Sequence, residues 1–239
     1  MKNYGFTLAE VLITLGIIGI VAAMTLPAIV SKYQEKVLVE RLKQTYSIFS
    51  QAYLRAVQEN GPADSWDIGE PVTMEGAEKL YDIFAPYIMQ GKPCRGENGC
   101  FVDDYKTLSG GVYQFAPKNH TMYTRGILVN GVAFAMPSHG TGCKYLEDEY
   151  NTYKNICGVL YVDLNGYQKP NQAGVDYFGF LITTKGITPM GLAGWDGGAN
   201  GYTCEYKGTS GGNGTGCTAW VLNKGNMDYL RRDISEEWK

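Results

Sequence analysis

The apolar positions of this chain fall into three regimes. From Phe6 to Val30 there are 25 residues with one charge, Glu10. At about 1.5 Å per residue, a helix of that length crosses a hydrocarbon core of about 30 Å. From Ser31 to Asn60 the pattern becomes amphipathic. Tyr33, Val37, Leu38, Leu42, Thr45, Phe49, Ala52 and Ala56 recur at three- and four-residue steps, as on one buried helix face. Lys32, Glu35, Lys36, Glu40, Arg41, Lys43 and Arg55 lie mostly elsewhere around the cylinder, and Asn60-Gly61-Pro62 stops it. The apolar period is not sustained as heptads, so a coiled coil is the weaker reading. One helix from Phe6 to Asn60, about 80 Å long, is predicted.

Beyond it the period shortens. Ala63 to Thr73 reads as a loop, and Glu75 to Ile88 as a short amphipathic helix with Leu80, Ile83 and Phe84, ended by Pro86. Met122–Val129 and Val132–Met136 flank Asn130-Gly131, the strongest short hairpin signal in the chain. Gly158–Leu164 and Tyr177–Thr184 are aromatic and β-branched, and a last strand is expected over Thr218–Leu222. Helix first and antiparallel strands afterwards give an α+β fold. The divisions are 1–5, 6–30, 31–60 and a head over 61–239, with no repeat and no second boundary in the head.

Composition changes this picture in two places. The formal charge is −3 without a basic block, which disfavours nucleic acid as partner. Thirty-one glycines and 18 tyrosines suggest a β-rich region with many turns and an exposed, adaptable surface. Two histidines, His120 and His139, leave little histidine chemistry. The six cysteines fall as Cys94 and Cys100, Cys143 and Cys157, Cys204 and Cys217. Their spacing lacks zinc knuckles, so disulfides and an oxidising compartment are expected. Connectivity is open, and neighbour pairing is the simplest proposal.

The N-terminus admits three readings. Lys2 and Val21-Ala22-Ala23 fit a secretory signal peptide, and the whole run fits a plain membrane anchor. Neither explains Glu10, an acid one turn inside the apolar run, where a charge needs a partner. Gly5-Phe6-Thr7-Leu8-Ala9-Glu10-Val11-Leu12-Ile13 resembles the class III signal of type IV prepilins and of type II secretion pseudopilins. The resemblance implies cleavage by a prepilin peptidase between Gly5 and Phe6 and N-methylation of Phe6. It places Glu10 at the assembly glutamate and Pro27 at the helix kink. It covers about the first 30 residues, through Leu15-Gly16-Ile17-Ile18-Gly19-Ile20. A mature amino group on Phe6 is a suitable counter-charge for Glu10. Gly16 and Gly19 are small faces for helix approach, and Pro27 lacks the amide hydrogen a straight helix uses.

Asp163-Leu164-Asn165-Gly166 followed by Pro170-Asn171, Gly174 and Asp176 is a compact polar loop, similar to a segment common in pilin-like proteins. Asp163, Asn165, Asn171 and Asp176 offer hard oxygens suited to calcium, although Gly166 is misplaced for an EF-hand. The competing and favoured reading is that they cap their own turns. Residues 194–216, with Trp195, Tyr202 and Tyr206, form a glycine-rich loop that reads as plain surface or as a recognition face. Ser138-His139-Gly140 is not a nucleophile elbow, and catalysis is not expected.

The resemblance implies a minor pilin or pseudopilin with a lollipop shape. Its head would face the periplasm or the outside, and it would be held in the inner membrane before it joins a pilus or pseudopilus. Its partners would be other pilin-like subunits, the prepilin peptidase, an inner-membrane assembly platform with its ATPase, and membrane lipid. No cofactor is required. A membrane- or tip-anchored adhesin using residues 194–216 is the alternative.

Overall fold

A computed structural model describes residues 7–117, 121–144, 155–192 and 201–238. The chain separates into two compact units, residues 1–37 and 38–239, described in turn. Helix α1 (Leu8–Asn60) belongs to both and continues on each side of Pro27. In the first unit its apolar side chains are exposed, from Leu8 and Leu12 through Ile20 to Ile29. This stretch is long and apolar enough to cross a membrane.

In the second unit α1 buries Val39, Leu42, Thr45, Phe49, Ala52, Tyr53 and Ala56. Burial begins at Val39; Tyr33, expected on the buried face, is 69% exposed, because helical period alone does not say where a covering surface starts. Helix α2 (Met74–Phe84) is capped by the Thr73 hydroxyl, which accepts from the Gly76 amide. Pro86 falls in a single 3₁₀ turn, Ala85–Tyr87, that ends the run earlier than the expected Ile88.

Among the described residues, six antiparallel strands follow as a meander in the order β1-β2-β3-β4-β5-β6. They are β1 (Gln90–Arg95), β2 (Thr124–Leu128), β3 (Ala133–Met136), β4 (Ile156–Asp163), β5 (Tyr177–Thr183) and β6 (Gly186–Pro189). Asn130-Gly131 closes the β2–β3 hairpin as expected, with Gly131 at φ 85° and the Asn130 side-chain oxygen accepting from the Val132 amide. The edge strands β1 and β6 escape the sequence pattern. β1 is mostly exposed, bulged twice and contains Pro93, which suits an edge. The strand expected at Thr218–Leu222 is instead helix α3 (Thr218–Lys224), ended by Gly225 in the left-handed conformation. A five-residue apolar run does not distinguish a short buried helix from a strand, and the left-handed glycine decides it.

Every residue of β4 is buried, so both sheet faces are covered. One face meets α1 and α2: Tyr46 stacks on Phe180, and Phe49 sets its edge on Phe134. The other is covered by loops carrying Tyr105, Tyr113, Tyr123 and Tyr202, which gather with Tyr161 and Tyr177 of the strands. These six tyrosines are buried, so this part of the tyrosine content belongs to the core and not to the exposed, adaptable surface expected from composition. In β4, Gly158 leaves the room a Cβ would take 2.7 Å from both Leu80 and the Pro137 carbonyl.

Candidate functional site

Three places carry the residues singled out in the sequence. At the N-terminus, Gly5 and Phe6 lie outside the described residues. Thr7 and Glu10 form a reciprocal capping box. The Thr7 amide donates to the Glu10 carboxylate at 2.8 Å, and the Glu10 amide donates to the Thr7 hydroxyl at 3.2 Å. Thr7-x-x-Glu10 therefore starts α1 and gives the acid a local partner within the apolar run. A Cβ at Gly16 or Gly19 would meet nothing within 4 Å, so no packing inside the chain calls for glycine there.

The second place is the β4–β5 connection, where the structure brings Asp163, Asn165, Asn171 and Asp176 together. The Asp163 carboxylate accepts from the Asn165 and Gly166 amides and from the Tyr105 hydroxyl. The Asp176 carboxylate accepts from the amides of Asn171 at 2.8 Å and Gln172 at 2.6 Å. Both aspartates are fully buried. Burial pushes the Asp163 carboxyl up to about 7, with the charge of Asp176 adding to it against the hydrogen bonds that favour ionisation. Burial also raises Asp176. Five donors thus occupy the carboxylate oxygens, as in a set of turn caps. The Asn165 and Asn171 side-chain oxygens are buried without a hydrogen-bond partner among the described residues, and they are the atoms left to face a cation. Among the described residues no group of three or more His, Cys, Asp or Glu is placed to hold a metal. Calcium takes six to eight oxygens, and here the carboxylate oxygens already accept from turn amides and the Tyr105 hydroxyl. Arg41 of α1 donates to the Leu164 carbonyl at 2.9 Å and fixes the loop's start.

The third place is the glycine-rich loop. Residues 193–200, with Trp195, lie outside the described residues. Asn213 is fully buried and sits at its centre. Its amide nitrogen donates to Ser109 and to the Glu205 and Gly208 carbonyls. Its oxygen accepts from the Thr203 hydroxyl and the Glu205 amide. Disulfides join Cys204 to Cys217, Cys94 to Cys100, and Cys143 to Cys157. Tyr202 is buried rather than presented, and its hydroxyl meets that of Tyr161 at 2.7 Å. Asn213 has no periodicity to betray it in the sequence. Only the tertiary contacts reveal its role.

Ser138 donates to the Ile68 carbonyl and accepts from the Gly140 amide, so its hydroxyl holds a turn. His139 is half-buried, and desolvation pushes its imidazole down to about 4.

A helix long and apolar enough to cross a membrane, opened by a capping box, is followed in this chain by an α+β head that holds three disulfides. Residues 1–26 match the family model of the prokaryotic N-terminal methylation motif, so the chain carries the signature of prepilin-type, type IV pilin-like proteins. Comparison with curated proteins and with solved structures gives no match.

Proposed function

We propose that this chain is a minor pilin or pseudopilin precursor, cut between Gly5 and Phe6, N-methylated on Phe6 and built into a filament through α1. The carrying observation is the methylation motif at residues 1–26 on a helix long and apolar enough to span a membrane. The open sides of Gly16 and Gly19 support close approach of neighbouring helices. Glu10 serves as counter-charge to a mature amino terminus, its own or a neighbour's. Before assembly the carboxylate rests on the Thr7 amide. The subunit waits in the inner membrane with its head in the periplasm. It then passes to an assembly platform and joins other pilin-like subunits in a pilus or secretion pseudopilus.

Intact mass and N-terminal peptide mapping of the protein from its native membrane tests this reading. A methylated Phe6 start is expected, and an uncut chain or a start near Met24 overturns it. Glu10→Ala is expected to insert and be cleaved normally but to enter filaments poorly. Normal incorporation would remove the role given to Glu10.

Asp163 and Asp176 act in this reading as turn caps and not as calcium ligands. Added calcium, or its chelation, should leave the thermal midpoint unchanged. A rise of several degrees with calcium would reverse that assignment.

A second reading, a membrane- or tip-anchored binding protein using residues 194–216, is favoured by one observation. The described part of that loop, held by Asn213 and Cys204–Cys217, lines a cleft. Deleting the loop would abolish binding and leave filaments intact under this reading.

A further inference from the structure

The cleft has a volume of about 320 Å³ and is lined by Leu108, Ser109, Tyr206, Lys207, Tyr229 and Leu230. That is the lower end of the range for small-molecule sites and suits a single sugar ring. Three separate segments converge on it, and each is fixed from behind. The Leu108 amide donates to the Asn213 carbonyl at 2.9 Å. The Ser109 hydroxyl donates to the Gly208 carbonyl at 2.6 Å and accepts from the Asn213 side-chain nitrogen. The Tyr229 hydroxyl donates to the Gly174 carbonyl at 2.7 Å, which leaves its ring as wall. The Leu230 amide is held by the Met227 carbonyl. A site of this kind exists before its ligand arrives and loses little ordering entropy on binding.

Its chemistry is one-sided. Leu108, Leu230 and the tyrosines supply apolar and aromatic surface, and Ser109 supplies a hydroxyl. Lys207 supplies the only charge in the lining among the described residues. The Lys207 amine lies 5.0 Å over the ring of its neighbour Tyr206. No carboxylate among the described residues forms a salt bridge with it. Lys207 also adopts φ 62°, a backbone conformation unusual for lysine, in the turn where the Gly208 amide donates to the Glu205 carbonyl. Tyr206 is 38% exposed, so the ring and its cation stand at the mouth.

We propose that this cleft binds a sugar acid, a monosaccharide-sized ring bearing one carboxylate. The carboxylate would pair with the Lys207 amine. The C–H face of the ring would rest on Leu108, Leu230 and the tyrosine surface, and a ring hydroxyl would reach Ser109. A neutral sugar would lack the charge pair, and a bare carboxylate would lack the apolar contact. The inference deepens the second reading above by giving the loop a ligand class, and it does not depend on how the N-terminus is processed.

The test is a ligand-observed NMR titration of the full chain in detergent micelles, with glucuronic acid, N-acetylneuraminic acid, glucose and acetate as probes. At least one acid is expected to bind about tenfold more tightly than glucose, the scale of one charge-assisted contact. Glucuronate alone or N-acetylneuraminate alone would say which source of the shared chemistry fits. Lys207→Gly keeps the left-handed turn and removes the amine. It should lose the preference for the acid while leaving the thermal midpoint in place. Absence of binding by both acids, equal affinity for glucose, equal affinity for acetate, or an unchanged Lys207→Gly variant would each overturn the proposal. If the acids fail while loop deletion still abolishes adhesion, the sugar-acid assignment falls and the binding reading stands.

Discussion

Asp163 is fully buried between Tyr105 and two turn amides, and its carboxyl is pushed up to about 7 by that burial. Its folded value lies above the unfolded one. Between about pH 4 and pH 7 the native state therefore keeps a proton that the unfolded chain has released. This contribution is fully present at the acid end of the window and is lost as pH rises through it. Denaturant melts at several pH values should show stability falling from pH 5 to pH 8 by more in the wild type than in Asp163→Asn. Equal slopes would show that Asp163 stays ionised throughout. Gly191 makes a second residue-scale case. At φ 85°, a Cβ there would sit 1.6 Å from the Gly216 carbonyl oxygen, and its own carbonyl accepts from the Trp238 indole. Gly191→Ala should destabilise the head by about 3 kcal/mol or more, a clash plus left-handed strain. Urea titration would check this, and a loss below about 1 kcal/mol would mean that the two backbones separate easily.

At the scale of elements, the covering of both sheet faces matters most. β4 is buried along its length and paired on both sides, so its amides should exchange slowest with solvent. β1, exposed and bulged at the edge, should exchange far sooner in a hydrogen-exchange time course. The loop layer over the second face is tied by Cys204–Cys217, whose sequence separation is 13. Replacing both cysteines with serine should cost about 2–4 kcal/mol by the loop-closure argument, read as a lower denaturant midpoint. The apolar run at Thr218–Leu222 teaches the complementary lesson. It was legible as buried but not as helix, because five residues complete too little of either period to choose.

At the scale of the whole molecule, α1 serves two environments in succession. Its first part exposes leucine, isoleucine and valine to whatever surrounds it, and its second part is buried within the head unit. The full chain should therefore sediment with membranes after an alkaline carbonate wash and come free only in detergent. Release by the wash alone would be inconsistent with an anchoring helix.

The sequence by itself determined the elements whose signal is local and periodic. The apolar span with its single acid, the amphipathic continuation, the Asn130-Gly131 hairpin and the principal strands were all readable there. So was the prepilin-type N-terminus, since its motif is a short, continuous stretch of sequence. Only the tertiary structure decided which face each side chain finds. Tyrosine fits water or a core, and here long-range contacts between loops and strands put Tyr105, Tyr113, Tyr161 and Tyr177 inside. The Asp163 turn, the Asn213 hub and the cleft at Lys207 likewise join residues far apart in the chain. Such meetings depend on the packing of the whole head, which no local period encodes.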